Sequence, residues 1–377
     1  MQLTQEILTY INQQQQQAFD LLVELAQIPA PSNHEEKRAA FCKAWLEKQG
    51  AQGVYVDEAL NVIYPIGCTQ DNPLTVYTAH SDVVFPDTET LPLKVEDGKI
   101  LCPGVGDDTA NVVALMMAAQ YIAQNGLAPA DGGVLIVINS GEEGLGNLKG
   151  SRKIMADFGP RIREFISLDG GIGSGVVKAV GSMRYRVTVR TEGGHSYSNF
   201  GNRNAIAYLA SLIHTLYDMK VPSKGKTTYN VGEISGGTSV NTIAQQAQML
   251  YEFRSDERES LLEMEKHFRA AIDYYRTKGI AVDVELLGER PCSGAVDALR
   301  QQALMQRAAA ASLRHAGQEM TFRSGSTDCN IPLSVGVPSI CTGCYHGGGA
   351  HTREEWVEIE SLLPGLKIAF DLLLHHF

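Results

Sequence analysis

Three apolar stretches of strand length stop abruptly on residues that can hold a metal ion or a proton. Residues 134–139 read VLIVIN and run into Ser140-Gly141-Glu142-Glu143, residues 74–79 read LTVYTA and run into His80-Ser81-Asp82, and residues 163–168 read REFISL and run into Asp169. Around them the spacing of apolar positions is helical. One helical pattern takes in the glutamine run at 13–17, continues through Leu21, Leu22, Leu25 and Ile28 and ends before Pro29; others cover 35–49 and 109–124, and short strands are predicted at 54–56 and 62–66. In an open α/β sheet, ligands sit beyond the carboxyl ends of the strands. The pattern therefore predicts an α/β domain with its chemistry gathered along one sheet edge.

From Met183 the rhythm changes. Residues 184–190 alternate like a half-exposed strand, 205–219 are helical, 227–234 and 248–254 read as strands, 261–278 as a helix and 280–286 as a strand. The order strand, helix, strand, strand, helix, strand is that of a ferredoxin-like α+β unit. It predicts a domain at 183–292 inserted whole into a first domain made of 1–182 and 293–377. After the insert come a helix at 298–316, a strand at 338–342, the glycine-rich segment CTGCYHGGGAH at 341–351 and a final helix at 359–374.

Composition narrows the choice of partners. A chain of 377 residues with net charge -11 and no basic patch is unsuited to nucleic acid or an acidic membrane surface. The first residues lack the features of a signal peptide, and no stretch reaches membrane-spanning length. Seven irregularly spaced cysteines fit a reducing compartment better than a disulfide framework. A cytoplasmic protein is expected.

His80 and Asp82, two apart on an extended chain, point the same way. Asp107 and Asp108 precede the 109–124 helix where a cap belongs, but one cap needs only one of them. GVGDD lacks the spacing of a dinucleotide loop. His80, Asp107, Glu143, Asp169 and His351 thus offer two imidazoles and three carboxylates, whose charge suits two divalent ions and one further anion. Nitrogen and oxygen donors without thiolate favour zinc, with cobalt or manganese as alternatives. Glu142, beside a ligand, is the candidate general base. Cys341 and Cys344 have C-x-x-C spacing but no second pair, and the His346 glycine run has no G-x-S-x-G partner for a serine hydrolase.

Taken together and in order, His80-Ser81-Asp82, Gly106-Asp107-Asp108, Ser140-Gly141-Glu142-Glu143-Gly144, Leu168-Asp169-Gly170 and Gly349-Ala350-His351-Thr352 resemble the five signatures of the M20 metallopeptidases. That family includes peptidase T, dipeptidases, glutamate carboxypeptidases and N-acyl-amino-acid deacylases. The resemblance implies a two-metal, aminopeptidase-like catalytic domain with the insert as a lid and dimerisation domain. It implies that His80 and Asp169 bind one ion, Glu143 and His351 the other, and that Asp107 bridges them. Asp82 would orient His80, and Glu142 would be the base. In the insert, Gly193-Gly194-His195-Ser196 resembles the motif whose histidine stabilises the oxyanion, often from the other subunit of a homodimer. Asn241 and Arg254 resemble positions that contact substrate, the arginine holding a carboxylate. Many relatives have lysine where this chain has Thr109. Asp at position 169 resembles the peptidase T and dipeptidase side of the family, so hydrolysis of di- or tripeptides is expected. The alternatives are an N-acyl-amino-acid amidohydrolase with the same metals and, more distantly, a non-catalytic binding protein on the same fold.

Overall fold

The computed structural model describes residues 3–377. The chain divides into two compact units, one formed by Met1–Ala179 with Gly294–Phe377 and one by Val180–Ser293.

The first unit is built on an eight-stranded sheet. Its order is Tyr55–Val56, Val62–Ile66, Gly133–Asn139, Leu74–His80, Ile162–Leu168, Ser339–Thr342, Ser174–Ala179, Thr321–Gly325. The four central strands, from Gly133–Asn139 to Ser339–Thr342, are mutually parallel, so their carboxyl ends share one edge. Every residue of Leu74–His80 and Gly133–Asn139 is buried. Their alternate side chains feed two separate cores: Val134, Ile136 and Ile138 enter the larger cluster with the Asn111–Gln124 and Leu362–Leu374 helices, while Leu135 and Val137 enter the smaller with Ile154 of Lys149–Phe158. Continuous apolar runs are what a sheet covered on both faces requires. Burial of those two faces makes the sheet edge a rigid platform.

Local details depart from the sequence pattern. The expected first helix is two, Gln5–Gln13 and Gln15–Ala26, broken at Gln14. Periodicity did not register the break because Ile11, Ala18, Leu22 and Leu25 keep facing one core across it. The Ser174–Ala179 and Thr321–Gly325 strands, and a small sheet in which Gly347–Gly348, Trp356–Glu358, Lys99–Leu101 and Lys94–Glu96 pair in that order, were not expected. These strands are short or half exposed, so little apolar rhythm marks them.

The second unit is a four-stranded antiparallel sheet with two helices. Its strands, Gly181–Arg190, Thr227–Gly236, Gln246–Ser255 and Ala281–Arg290, lie in the spatial order second, third, first, fourth, with Ala205–Tyr217 and Arg258–Thr277 as the helices. That is the ferredoxin-like arrangement. Tyr185, Tyr251, Phe253 and Phe268 stack in its core, with ring centroids 4.5 Å apart for Tyr185 and Phe268. No helix among the described residues is long and apolar enough to cross a membrane.

The last helix of the first unit is fastened to the sheet by a polar contact. The Tyr77 hydroxyl donates to the Leu372 carbonyl at 2.6 Å and faces His376 Nε2 at 3.0 Å. Burial, with the positive charges of Arg307, His375 and Arg163, depresses the His376 pKa from 6.5 to about 3. Between those values the unfolded chain takes up a proton that the folded chain refuses, so this contribution is complete above about pH 6.5 and is lost as pH falls toward 3. Replacing His376 with Asn should flatten the acid loss of stability by up to about 1.4 kcal/mol per pH unit. Urea unfolding at pH 7 to 4 reads this through Trp45 and Trp356, both in this unit; equal slopes for variant and wild type would refute it.

Candidate metal centre

Each of the four central strands delivers polar residues at the shared edge. Leu74–His80 ends in His80, Gly133–Asn139 leads to Glu142 and Glu143, Ile162–Leu168 to Asp169, and Ser339–Thr342 to the loop bearing His351. The loop 102–110 ahead of the Asn111–Gln124 helix adds Asp107.

The distances draw these residues together. Donor atoms of His80, Asp107, Asp108 and Asp169 lie within 4.8 Å of one another, as do those of His80, Glu142 and Glu143, and those of Asp107, Glu143 and His351. Asp107 stands between two imidazoles: Oδ1 is 3.2 Å from His80 Nε2 and Oδ2 is 3.0 Å from His351 Nε2. His351 Nε2 also lies 3.0 Å from Glu143 Oε1. The Asp107–Asp108 peptide is cis.

Neither aspartate caps the helix, contrary to the ordinary reading of their position. The cap is Ala110, and Asp107 and Asp108 have non-helical backbone. Asp108 accepts from the His80 amide at 2.9 Å and from Asn111 Nδ2 at 2.6 Å, so both of its oxygens serve protein groups.

The buried carboxylates repel one another. Burial and the Asp107 charge lift the Asp169 pKa to about 7, and burial with the Asp169 and Asp107 charges lifts Asp108 well above the usual carboxylate range. Burial disfavours charge on His80, but Asp108, Asp107 and Asp82 overcome it and raise its pKa; bonds to Asp107 and Glu143 raise His351 to about 10. A field that pulls protons onto two imidazoles this strongly is one that favours divalent cations. The donor set, two imidazole nitrogens among carboxylates, fits zinc-type ions.

Other residues hold these donors in place. His80 Nδ1 faces the Asp82 carbonyl at 3.0 Å and its Oδ1 at 3.5 Å, which fixes a proton on Nδ1 and aims Nε2 at Asp107, the nitrogen left to bind an ion. The Asp82 carboxylate accepts from the amides of Glu142 at 3.0 Å and Glu143 at 2.9 Å, and from Ser32 Oγ at 2.7 Å. Burial opposes its ionisation, but His80, Ser32 and the Glu143 amide keep its pKa below the ordinary value. Glu35, fully buried, accepts from the Gly141 amide at 3.0 Å and pairs with Lys149 at 2.7 Å. Gly141 has φ +65°, and a Cβ there would meet the Lys149 chain at 2.5 Å, so glycine is required at this turn. Thr109 donates to the Gly104 carbonyl at 2.5 Å and accepts from the buried Arg38, which also bonds the Ser81 carbonyl. Glu35, Arg38 and Glu355 escaped the sequence reading because charged residues beside other charged residues look solvated.

The residues expected in the insert occupy two places. Gly194–His195 pairs with Thr242–Ile243, and the Ser196 amide donates to the Asn241 carbonyl at 2.9 Å, so His195 and Asn241 adjoin. His195 Nδ1 accepts from the Tyr197 and Ser198 amides at 3.3 Å, leaving the proton on Nε2. Arg254 lies at the other end of its strand, opposite Ser182, with its guanidinium on Glu252 at 3.0 Å.

Replacing Asp82 with Ala would leave two buried amides and the His80 ring without their carboxylate. The expected loss is roughly 3–5 kcal/mol of stability, together with metal affinity. Chemical unfolding and metal titration of the variant measure both; unchanged values would show that the Asp82 contacts hold nothing in place.

Known proteins resemble this chain in sequence and fold. The chain is 25% identical over 360 residues to the uncharacterized protein YqjE of Bacillus subtilis (strain 168), covering 90% of this chain and 93% of that one. Its fold is similar to that of a tripeptidase from Staphylococcus aureus subsp. aureus Mu50, with TM-score 0.76, 23% identity and coverage of 95% and 97%. It is similar also to the Bacillus subtilis YXEP protein, described as a dinuclear metal binding peptidase from the M20 family, with TM-score 0.64, 16% identity and coverage of 96% and 99%. The sequence model of peptidase family M20/M25/M40 matches residues 76–375, from the strand that carries His80 to the helix that closes the chain, and the protein therefore belongs to that family.

Proposed function

We propose that this protein hydrolyses short peptides, di- or tripeptides, with two divalent ions, zinc first among them. The observation that carries the proposal is the Asp107 carboxylate, with one oxygen on the His80 side and the other on the His351 side. His80 and Asp169 would hold one ion, Glu143 and His351 the other, and Asp107 both. When bound, such ions polarise a scissile carbonyl and acidify the attacking water. Glu142, buried and with its backbone fixed by Asp82, would take the proton from that water and pass it to the leaving amine. The likeness to a tripeptidase supports a short substrate. All seven cysteines are free thiols, which supports a cytoplasmic setting.

In the insert, the Nε2 proton of His195 suits an oxyanion donor, Asn241 a polar substrate contact and Arg254 a carboxylate partner. Within one chain a short substrate cannot span them. Eight residues of strand separate Gln246 from Arg254, roughly 27 Å at ordinary strand rise. We therefore assign His195 and Asn241 to the site of the second subunit of a homodimer formed through the insert. Tyr197, Phe200 and Val240, at 88%, 91% and 102% exposure beside this pair, support a partner that covers them.

Two experiments follow. Dipeptides, tripeptides and N-acyl amino acids are offered to wild type and Glu142→Gln with added zinc, cobalt or manganese. Short peptides should be cleaved by wild type, with kcat down at least about 100-fold in the variant. Cleavage of acyl amino acids alone would sink the peptidase reading, and an equally active variant would sink the base. Mixing inactive His195→Ala and Glu142→Gln chains should restore part of the activity; no recovery in verified heterodimers would remove His195 from the partner's site.

A further inference from the structure

Glu355 is buried at 1% exposure, four positions beyond His351, and its carboxylate accepts from the backbone of another loop. Oε2 accepts from the Gly104 amide at 2.8 Å, and Oε1 accepts from the amides of Gly106 at 2.9 Å and Asp107 at 2.7 Å. The Glu355 carbonyl accepts from the Cys102 amide at 3.1 Å, and the next residue, Trp356, pairs with Leu101 in the small sheet. One residue therefore fastens the loop that carries Asp107 to the segment that carries His351. Within that loop Gly104 has φ +76°, and a Cβ on Gly106 would meet the Tyr345 ring at 2.7 Å, so the segment is tightly packed where Glu355 holds it.

We propose that Glu355 is a positioning residue that sets the spacing between Asp107 and His351, and so governs affinity for the ion those two share with Glu143. Three hydrogen bonds from amides within four consecutive residues fix where the Asp107 backbone sits. Four residues of chain then fix His351 relative to the same anchor. A loosened clamp changes the donor spacing without removing a donor. The inference rests on the metal reading given under Proposed function.

The test compares metal-free wild type, Glu355→Gln and Glu355→Asp, each titrated with zinc against a chromophoric chelator and with cobalt by visible absorption. Gln keeps the shape but sets an amide donor against a backbone N–H; Asp keeps the charge but is one methylene too short. Wild type should take up two ions. Both variants should bind one of the two about 10–100-fold more weakly, with altered cobalt bands, a loss larger than any fall in metal-free melting temperature accounts for. Identical affinities and spectra in a folded variant would overturn the proposal, as would weaker binding that only tracks a fall in metal-free melting temperature. Should Gln fail to fold, the Asp variant decides by the same readings. Wild type that binds no pair of ions would overturn the metal reading itself, and Glu355 with it; wild type that binds two ions beside an unaffected variant removes Glu355 alone.

Discussion

The site depends on buried carboxylates that accept hydrogen bonds from backbone amides. Where a strand ends, its ladder stops satisfying N–H groups, and a buried loop must find other acceptors. Here Glu35 takes the Gly141 amide, Asp82 takes those of Glu142 and Glu143, and Glu355 takes those of Gly104, Gly106 and Asp107. A carboxylate serves this purpose well because two oxygens with several lone pairs can hold two or three amides at once, in bonds stronger than neutral ones. Three anions thus replace the missing ladder, and the donors on those loops inherit fixed positions.

The same anions set the electrostatics. Asp82 accepts from the Glu143 amide and Glu355 from the Asp107 amide, while the buried Arg38 guanidinium is directed to carbonyls and Thr109 rather than to a carboxylate. Burial lowers its pKa and the nearby Cys42, Cys102, Asp82 and Glu355 offset part of the effect, which leaves it at about 10. Backbone clamps and candidate metal donors are in this sense built from the same chemistry, since carboxylates that fix loops also favour divalent cations.

The insert follows a different logic. Its sheet buries one face against two helices and leaves the other polar, with Arg184, Glu252 and Arg254 on that face near the point where the chain enters and leaves. His195 and Asn241 sit at the far end, on loops held by short strand pairs. The polar residues of the insert therefore fall into two groups toward opposite ends of one strand.

Much of the fold was legible in the sequence. Apolar runs marked the parallel strands because both faces are buried, and alternation marked the insert because one face is not. Residue types at the strand ends named the chemistry, since parallel strands bring their carboxyl ends to one edge whatever the loops do. The roles of adjacent twins were not legible. Asp107 and Asp108 are chemically identical, and only the fold shows that Asp108 spends both oxygens on the His80 amide and Asn111 while Asp107 faces two imidazoles. Likewise nothing local separates Glu354 from Glu355, one exposed and one buried beneath a loop some 250 positions earlier in the chain. Residue type and spacing are local and survive in sequence; which lone pair meets which amide is a contact between distant segments, and only packing decides it.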